Sequence, residues 1–147
     1  MPNDLDHVRR LAGEDSLAVV TTTRSDGTIH ASVVSAGVID DPVTGDACIG
    51  FVARGASRKL EHLRGSGRAA AVFRHGADWV AVEGPARLVG PQDRPEDFGA
   101  ARLARLLRSV FVAAGGTHQD WDEFDRVMDA EGRTAVFVAP ERISGNS

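Results

Sequence analysis

Runs of β-branched and other apolar residues, bounded by turn residues, divide much of the chain into short segments. Such runs are typical of strands, and they predict six. In the fifth, the pair Gly84-Pro85 predicts a bulge or a bend. The predicted strands are Leu17–Arg24, Ile29–Ile39, Ala47–Val52, Arg68–Phe73, Asp78–Val89 and Arg133–Pro140.

Four other segments space their apolar residues as a helix does, on one side of the segment. The spacing predicts helices over residues 4–13, 58–64, 95–113 and 120–131. Ser57 is a candidate N-cap for the second, and Pro95 suits the first turn of the third. Asp120 begins the fourth in the manner of a capping box.

Tight turns join neighbouring predicted strands, as at Asp26-Gly27, at residues 40–46 and at His75-Gly76. Strands linked in this way favour antiparallel pairing and closure into a barrel. Strands and helices do not alternate regularly, which disfavours a doubly wound parallel sheet. The sequence therefore predicts one domain over residues 1–147, mainly β in the α+β sense, as an antiparallel barrel with peripheral helices.

Composition narrows the class of protein. The 147 residues are 42% hydrophobic and 26% charged, an ordinary globular balance. No apolar run approaches the roughly 18 residues of a membrane helix, and the acidic start, Met1-Pro2-Asn3-Asp4, is unlike a signal peptide. A single cysteine, Cys48, fits a reducing compartment. We expect a cytoplasmic protein that binds no membrane.

The net charge of −4 gives no indication of nucleic-acid binding, but the charge is unevenly distributed. Six basic residues and one acidic residue lie between Arg54 and Arg74, and the only lysine of the chain, Lys59, is among them. This segment is either a solvated basic face or the binding site of an anion such as a phosphate.

Common catalytic and metal motifs do not fit the sequence. The run Gly65-Ser66-Gly67 is too short for a nucleotide-binding fingerprint and predicts a turn. The five histidines are scattered, Cys48 has no partner cysteine, and no metal site is predicted. The chain has no tyrosine, and Trp79 could be a core residue, a dimer contact or the wall of a cofactor site.

His30, Ser32 and Val34 share one face of the second predicted strand, because side chains alternate with a period of two. Two interpretations remain open at this point. The three residues form a solvent-facing set, or they line a cleft and offer two polar contacts and one apolar contact to a flat ring.

The order and spacing of four stretches resemble the split β-barrel superfamily of pyridoxamine-phosphate-oxidase-like flavoproteins. They are LAVVTTTRSDGTIHASVV, SRKLEHLRGSGRAAAVF, WVAVEGPARLVG and DWDEFDRVM, beginning at Leu17, Ser57, Trp79 and Asp120. The last stretch is most similar to the actinobacterial branch that uses the deazaflavin coenzyme F420 in place of FMN. The resemblance implies a homodimer with two cofactors in clefts formed by both subunits.

The resemblance also assigns candidate roles. Ser57, Arg58 and Lys59 occupy the stretch that grips the cofactor phosphate, at the start of a helix whose free N–H groups favour an anion. The strand carrying His30, Ser32 and Val34 is expected to run beside the ring. Trp79 is expected near the ring, in the same or the other subunit.

We therefore expect an oxidoreductase that passes a hydride from reduced F420 to a small conjugated acceptor. No catalytic base is identified, although His30 could donate a proton or orient the substrate. The alternatives are an FMN-dependent oxidase or reductase, a non-catalytic cofactor-binding protein, and a barrel that has lost its ligand.

Overall fold

The computed structural model describes residues 4–13 and 16–146. Met1, Pro2 and Asn3, on which the expectation of no signal peptide rests, lie outside the described residues. The described chain holds four helices and seven strands, and all ten predicted elements are present. The helices are α1 Leu5–Ala12, α2 Arg58–Ser66, α3 Ala100–Ala113 and α4 Trp121–Ala130. The strands are β1 Leu17–Thr23, β2 Ile29–Asp40, β3 Ala47–Ala53, β4 Arg68–His75, β5 Asp78–Val89, β6 Thr134–Val138 and β7 Arg142–Gly145.

Six of these strands close an antiparallel barrel. The order around it is β1, β2, β3, β6, β5 and β4, and β4 returns to β1. Strand β7 lies outside the barrel and pairs with β5. The predicted antiparallel barrel with peripheral helices is confirmed.

The two longest strands each change partner halfway along. Strand β2 pairs with β1 as far as Ser35 and with β3 from Ala36 onward. Strand β5 pairs with β4 as far as Pro85 and with β6 from Ala86 onward. The second change falls at the predicted bend, where a Cβ on Gly84 would stand 2.0 Å from the Ala139 carbonyl oxygen. The barrel is thereby divided into two halves, which makes it a split barrel.

Two apolar clusters hold the structure together. One fills the barrel and includes Phe51, Phe73 and Val82, each fully buried. The other lies between the barrel and the α3–α4 pair, where Leu107, Val110 and Phe124 pack against Phe137 and its neighbours. Helices α3 and α4 are thus fixed to one half of the barrel by their buried faces.

Three boundaries differ from the sequence prediction. Helix α3 begins at Ala100 and not near Pro95, because Asp97 has a φ of +65°, which a helix does not allow. Helix α2 continues to Ser66 and ends at Gly67, whose φ of +72° closes the helix. The sixth predicted strand ends at Val138, and β7 follows it as a separate strand that the sequence did not predict.

Within residues 4–13 and 16–146, no helix is both long enough and apolar enough to cross a bilayer.

Candidate functional site

A cavity of about 700 Å³ opens where β2 leaves β1 for β3. Its walls come from the middle of β2, the end of β3 with the loop that follows, the start of α2, and the α3–α4 pair. The residues that line it are Val33, Val34, Ser35, Val52, Ala53, Arg54, Ala56, Ser57, Lys59, Val110, Phe111, Ala114, Phe124, Met128 and Arg133.

The first turn of α2 forms the cationic end of this cavity. Ser57 is the N-cap, as predicted, and its hydroxyl accepts a hydrogen bond of 3.2 Å from the Lys59 backbone N–H. Leu60 and Leu63 are buried and anchor the helix to the barrel. Lys59 makes no ion pair with any described residue, and it lines this cavity beside the first turn of α2, so its ammonium is available to an anion.

The opposite wall is apolar and aromatic. The rings of Phe111 of α3 and Phe124 of α4 are tilted by 49° with centroids 4.9 Å apart, and Met128 also lines this wall. Helix α3 approaches β2 closely, since a Cβ on Gly37 would stand 1.9 Å from the Ala113 carbonyl oxygen. This wall is therefore set by backbone contact as well as by side-chain packing.

Two arginines and one carboxylate lie at the rim. Arg133 Nε donates to Glu131 Oε1 at 2.8 Å, and Arg54 lies 3.8 Å from the other carboxylate oxygen. The hydrogen bond from Arg133 lowers the pKa of Glu131, which therefore stays ionised near neutral pH. The trio carries one net positive charge and adds to the cationic character of the cavity.

A second cavity, also of about 700 Å³, lies on the far side of α2. The β1–β2 turn, with Arg24, forms one wall, and Arg58 and His62 of α2 form the other. Arg24 Nη1 donates to the Ile29 carbonyl oxygen at 2.7 Å, which holds this guanidinium at the turn. Arg58 and Arg24 share this cavity with two carboxylates, Asp26 and Glu61.

The predicted face of β2 is half-buried, and α2 covers part of it. His30, Ser32 and Val34 alternate with exposed neighbours, as the period of two requires. Only Val34 lines the first cavity. His30 lies against α2, with its ring centroid 5.3 Å from that of His62.

Two polar atoms on this face are covered and have no hydrogen-bond partner among the described residues: His30 Nδ1 and Ser32 Oγ. Nearby, Thr22 Oγ1 and His62 Nδ1 are hydrogen-bonded at 2.8 Å. Burial lowers the pKa of His30, and the charges of Arg24, His62 and Lys59 lower it further.

Trp79 lies away from the cavity. It is 39% exposed on the outer face of β5, opposite Arg74 of β4, so it is not a core residue of this chain. The sheet around it has an apolar outer face, which also carries Arg74 and Glu83. The large exposed apolar side chains of this face are Leu17, Val19, Ile29, Val33 and Trp79.

Several lining residues were not identified from the sequence. Val33 and Ser35 point away from Val34, yet both reach the cavity because β2 meets it at the point where its pairing changes. Phe111 and Met128 are apolar helix residues, and the sequence pattern around them gives no signal for a ligand site. The closeness of Glu131 and Arg133 in the sequence is the one local signal for a charged group at the rim of the cavity.

The first cavity has an apolar wall and, at its other end, the cationic start of α2. This arrangement fits a ligand with a planar ring and an anionic chain. The cavity volume is within the usual range for such ligands, roughly 300–1,000 Å³. Among the residues of the predicted phosphate grip, Ser57 and Lys59 contact this cavity, and Arg58 contacts the second one.

Solved structures share this fold. A conserved hypothetical protein, Rv2991 from Mycobacterium tuberculosis, is 18% identical with a TM-score of 0.67, and the match covers 97% of this chain and 83% of that one. An FMN-binding, pyridoxamine 5'-phosphate oxidase-related protein from Nostoc punctiforme is 12% identical with a TM-score of 0.62, covering 95% and 78%.

An F420 reductase is 15% identical with a TM-score of 0.59, and the match covers 92% of this chain and 94% of that one. No protein with a curated description matches the sequence. The family model described as pyridoxamine 5'-phosphate oxidase matches residues 5–146. With nearly the whole chain matched and the split barrel in place, this protein belongs to the pyridoxamine 5'-phosphate oxidase family.

Proposed function

We propose that this protein is an F420-dependent oxidoreductase that transfers a hydride from reduced F420 to a small conjugated acceptor. The observation that carries the proposal is that cations lie at the start of α2 on both cavities, Lys59 on the first and Arg58 with Arg24 on the second. FMN ends in one phosphate, whereas F420 continues into a longer anionic tail. Cations on two neighbouring cavities are more than a single phosphate needs, and this favours F420.

Each residue of the grip would have its own role. Lys59 supplies a compact, mobile charge to the phosphate, and the positive end of the α2 dipole adds to it. Ser57 fixes the turn by accepting the Lys59 N–H. Arg58 and Arg24, on the second cavity, would bind the tail as it leaves the phosphate.

The apolar wall would hold the ring. Val34, Phe111 and Met128 offer flat apolar contact and exclude water from the face where the acceptor binds. When bound, the cofactor supplies the hydride chemistry. The chain supplies orientation, and no described side chain is required as a base.

We also propose that the protein acts as a homodimer. The apolar outer face is continuous with the first cavity, because Val33, which is 63% exposed, belongs to both. An exposed face of this kind marks an interaction surface. A second copy on this face would close the cavity, and its Trp79 would be the aromatic residue expected near the ring.

The test is a fluorescence titration of the purified protein with oxidised F420 and with FMN. Tight binding of F420 with weak binding of FMN supports the proposal, and binding of FMN alone favours the FMN-dependent alternative. Lys59→Ala is expected to weaken F420 binding by about tenfold or more, the loss of one charge-assisted contact.

Arg105→Ala is the matched control for this titration, since Arg105 is an exposed cation on α3 that lines neither cavity. Equal affinities for the two variants would remove Lys59 from the site. Binding of neither cofactor would contradict the proposal.

A further inference from the structure

We propose that His30 is an affinity-determining residue of the anion site: it takes up a proton from solvent when an anion binds beside Lys59 at the start of α2. The inference rests on the anion-binding part of the proposed function and goes beyond the ring contact expected for His30. It concerns a residue that acts on the ligand through space, from beneath the helix.

His30 lies close to helix α2. Its ring lies against that of His62, which follows Lys59 by three residues, about one turn of α2. The hydrogen bond of 2.8 Å between Thr22 and His62 ties α2 to β1, and Thr22 is directly opposite His30 in the strand register. His30 is therefore held beneath the helix that forms the anion site.

Two polar atoms on the face of β2 that carries His30 lack hydrogen-bond partners in the described part of the chain. His30 Nδ1 and Ser32 Oγ are covered, and neither has a hydrogen-bond partner among the described residues. Covered polar groups without partners are uncommon and costly. A proton taken up by His30 makes both ring nitrogens donors, so the hydrogen bonds that this covered ring requires change with its charge.

Three neighbouring groups act electrostatically on His30. The charged or titratable groups that act on His30 are Arg24 from the β1–β2 turn, and Lys59 and His62 from α2. All three are cationic or become cationic, and together with burial they keep His30 neutral at pH 7. Because the charge of Lys59 reaches His30, the charge of an anion beside Lys59 reaches it as well and favours the protonated ring.

The sign of the pH dependence follows. A bound anion raises the pKa of His30, so anion affinity is greatest at low pH and is lost as pH rises through the pKa of the bound form. If the shift is about one unit, affinity differs by about tenfold between the two limits. Sulfate is a suitable probe because it stays a dianion across this range.

The experiment follows the five histidine ring signals by NMR between pH 5 and 8, with and without saturating sulfate at constant ionic strength. His30→Gln assigns the signal of His30. We expect its pKa to lie below 6.5 without sulfate and to rise by about one unit with it. The pH dependence of sulfate affinity should flatten in His30→Gln and stay unchanged in His75→Gln, which alters an exposed hairpin histidine.

Lys59→Ala keeps the test valid if His30→Gln does not fold. In that variant the pKa of His30 should be higher without sulfate, and its response to sulfate should disappear. A His30 signal that does not respond while sulfate or F420 binds overturns this inference and leaves the proposed function standing. No sulfate effect on any residue of α2 overturns it too, whereas failure of F420 alone to bind leaves it intact.

Discussion

Arg108 of α3 and Asp125 of α4 form a bidentate ion pair. Arg108 Nε donates to Asp125 Oδ1 at 2.9 Å, and Nη2 contacts Oδ2. The guanidinium also lies over the ring of Trp121, 5.5 Å from its centroid. Because α3 and α4 supply the apolar wall of the first cavity, this pair fixes the spacing of the wall.

The ion pair predicts a pH-dependent contribution to stability. The hydrogen bond from Arg108 lowers the pKa of Asp125 below 3.8, so the stabilisation is complete above that value and is lost as pH falls toward the lower, folded-state pKa. Asp125→Asn should lower the melting temperature at pH 7, and its difference from wild type should shrink between pH 4 and pH 2.

The matched control for this prediction is Asp129→Asn, an exposed carboxylate on the same helix. Thermal unfolding followed by circular dichroism at each pH gives the comparison. A difference for Asp125→Asn that stays constant down to pH 2 would contradict the assigned role of the pair.

A second prediction concerns Gly37, at the point where β2 packs against α3. A Cβ on this residue would stand 1.9 Å from the Ala113 carbonyl oxygen, which is backbone and cannot rotate away. Gly37→Ala should cost about 1–3 kcal/mol of unfolding free energy, the usual range for overpacking. Urea denaturation measures the loss.

Gly65→Ala is the control for this prediction, and it should raise the free energy of unfolding. Gly65 lies within α2, and nothing stands within 4 Å of the position of its Cβ. Alanine should therefore stabilise the protein by about 0.5–1 kcal/mol through helix propensity. Similar losses at both positions would show that the contact at Gly37 does not limit the approach of α3.

The sequence predicted the features that depend on neighbouring residues. The N-cap of Ser57 and the hairpin at Asp26-Gly27 follow from local chemistry, and both are present. The left-handed φ of Asp97, which delays the start of α3, is unusual for a residue other than glycine and has no local signal. Strand β7 is too short and too exposed for periodicity to reveal it.

The cavity could be predicted only in part for a related reason. Ser57 and Lys59 come from one segment, so a single motif identifies them. Phe111 and Met128 reach the cavity through packing between α3 and α4, which the sequence pattern does not specify. Trp79 shows the same limit, since its place on the outer face depends on how the barrel closes.

A third prediction concerns the contact between Thr22 and His62. Thr22 is 2% exposed, so replacing its hydroxyl with a methyl group leaves His62 Nδ1 without its partner next to the barrel. Thr22→Val should cost about 1–3 kcal/mol in urea denaturation. Thr23→Val, an exposed change on the same strand, should be nearly neutral, and equal effects would contradict the role of the hydrogen bond.

The proposed homodimer predicts the effect of a charge at the centre of the apolar outer face. Val19 lies between Val33 of β2 and Val72 of β4 in the strand register and is 40% exposed. Val19→Asp would bury an unpaired carboxylate against a second copy, so its dissociation constant should rise about 100-fold or more.

Sedimentation velocity over a range of concentrations measures this shift. Val43→Asp is the control, because Val43 is 53% exposed in the β2–β3 turn and belongs to neither the outer face nor the first cavity. We expect dimers for wild type and Val43→Asp, and monomers for Val19→Asp. A monomeric wild type, or a Val19→Asp variant as dimeric as the control, would show that this face does not join two copies.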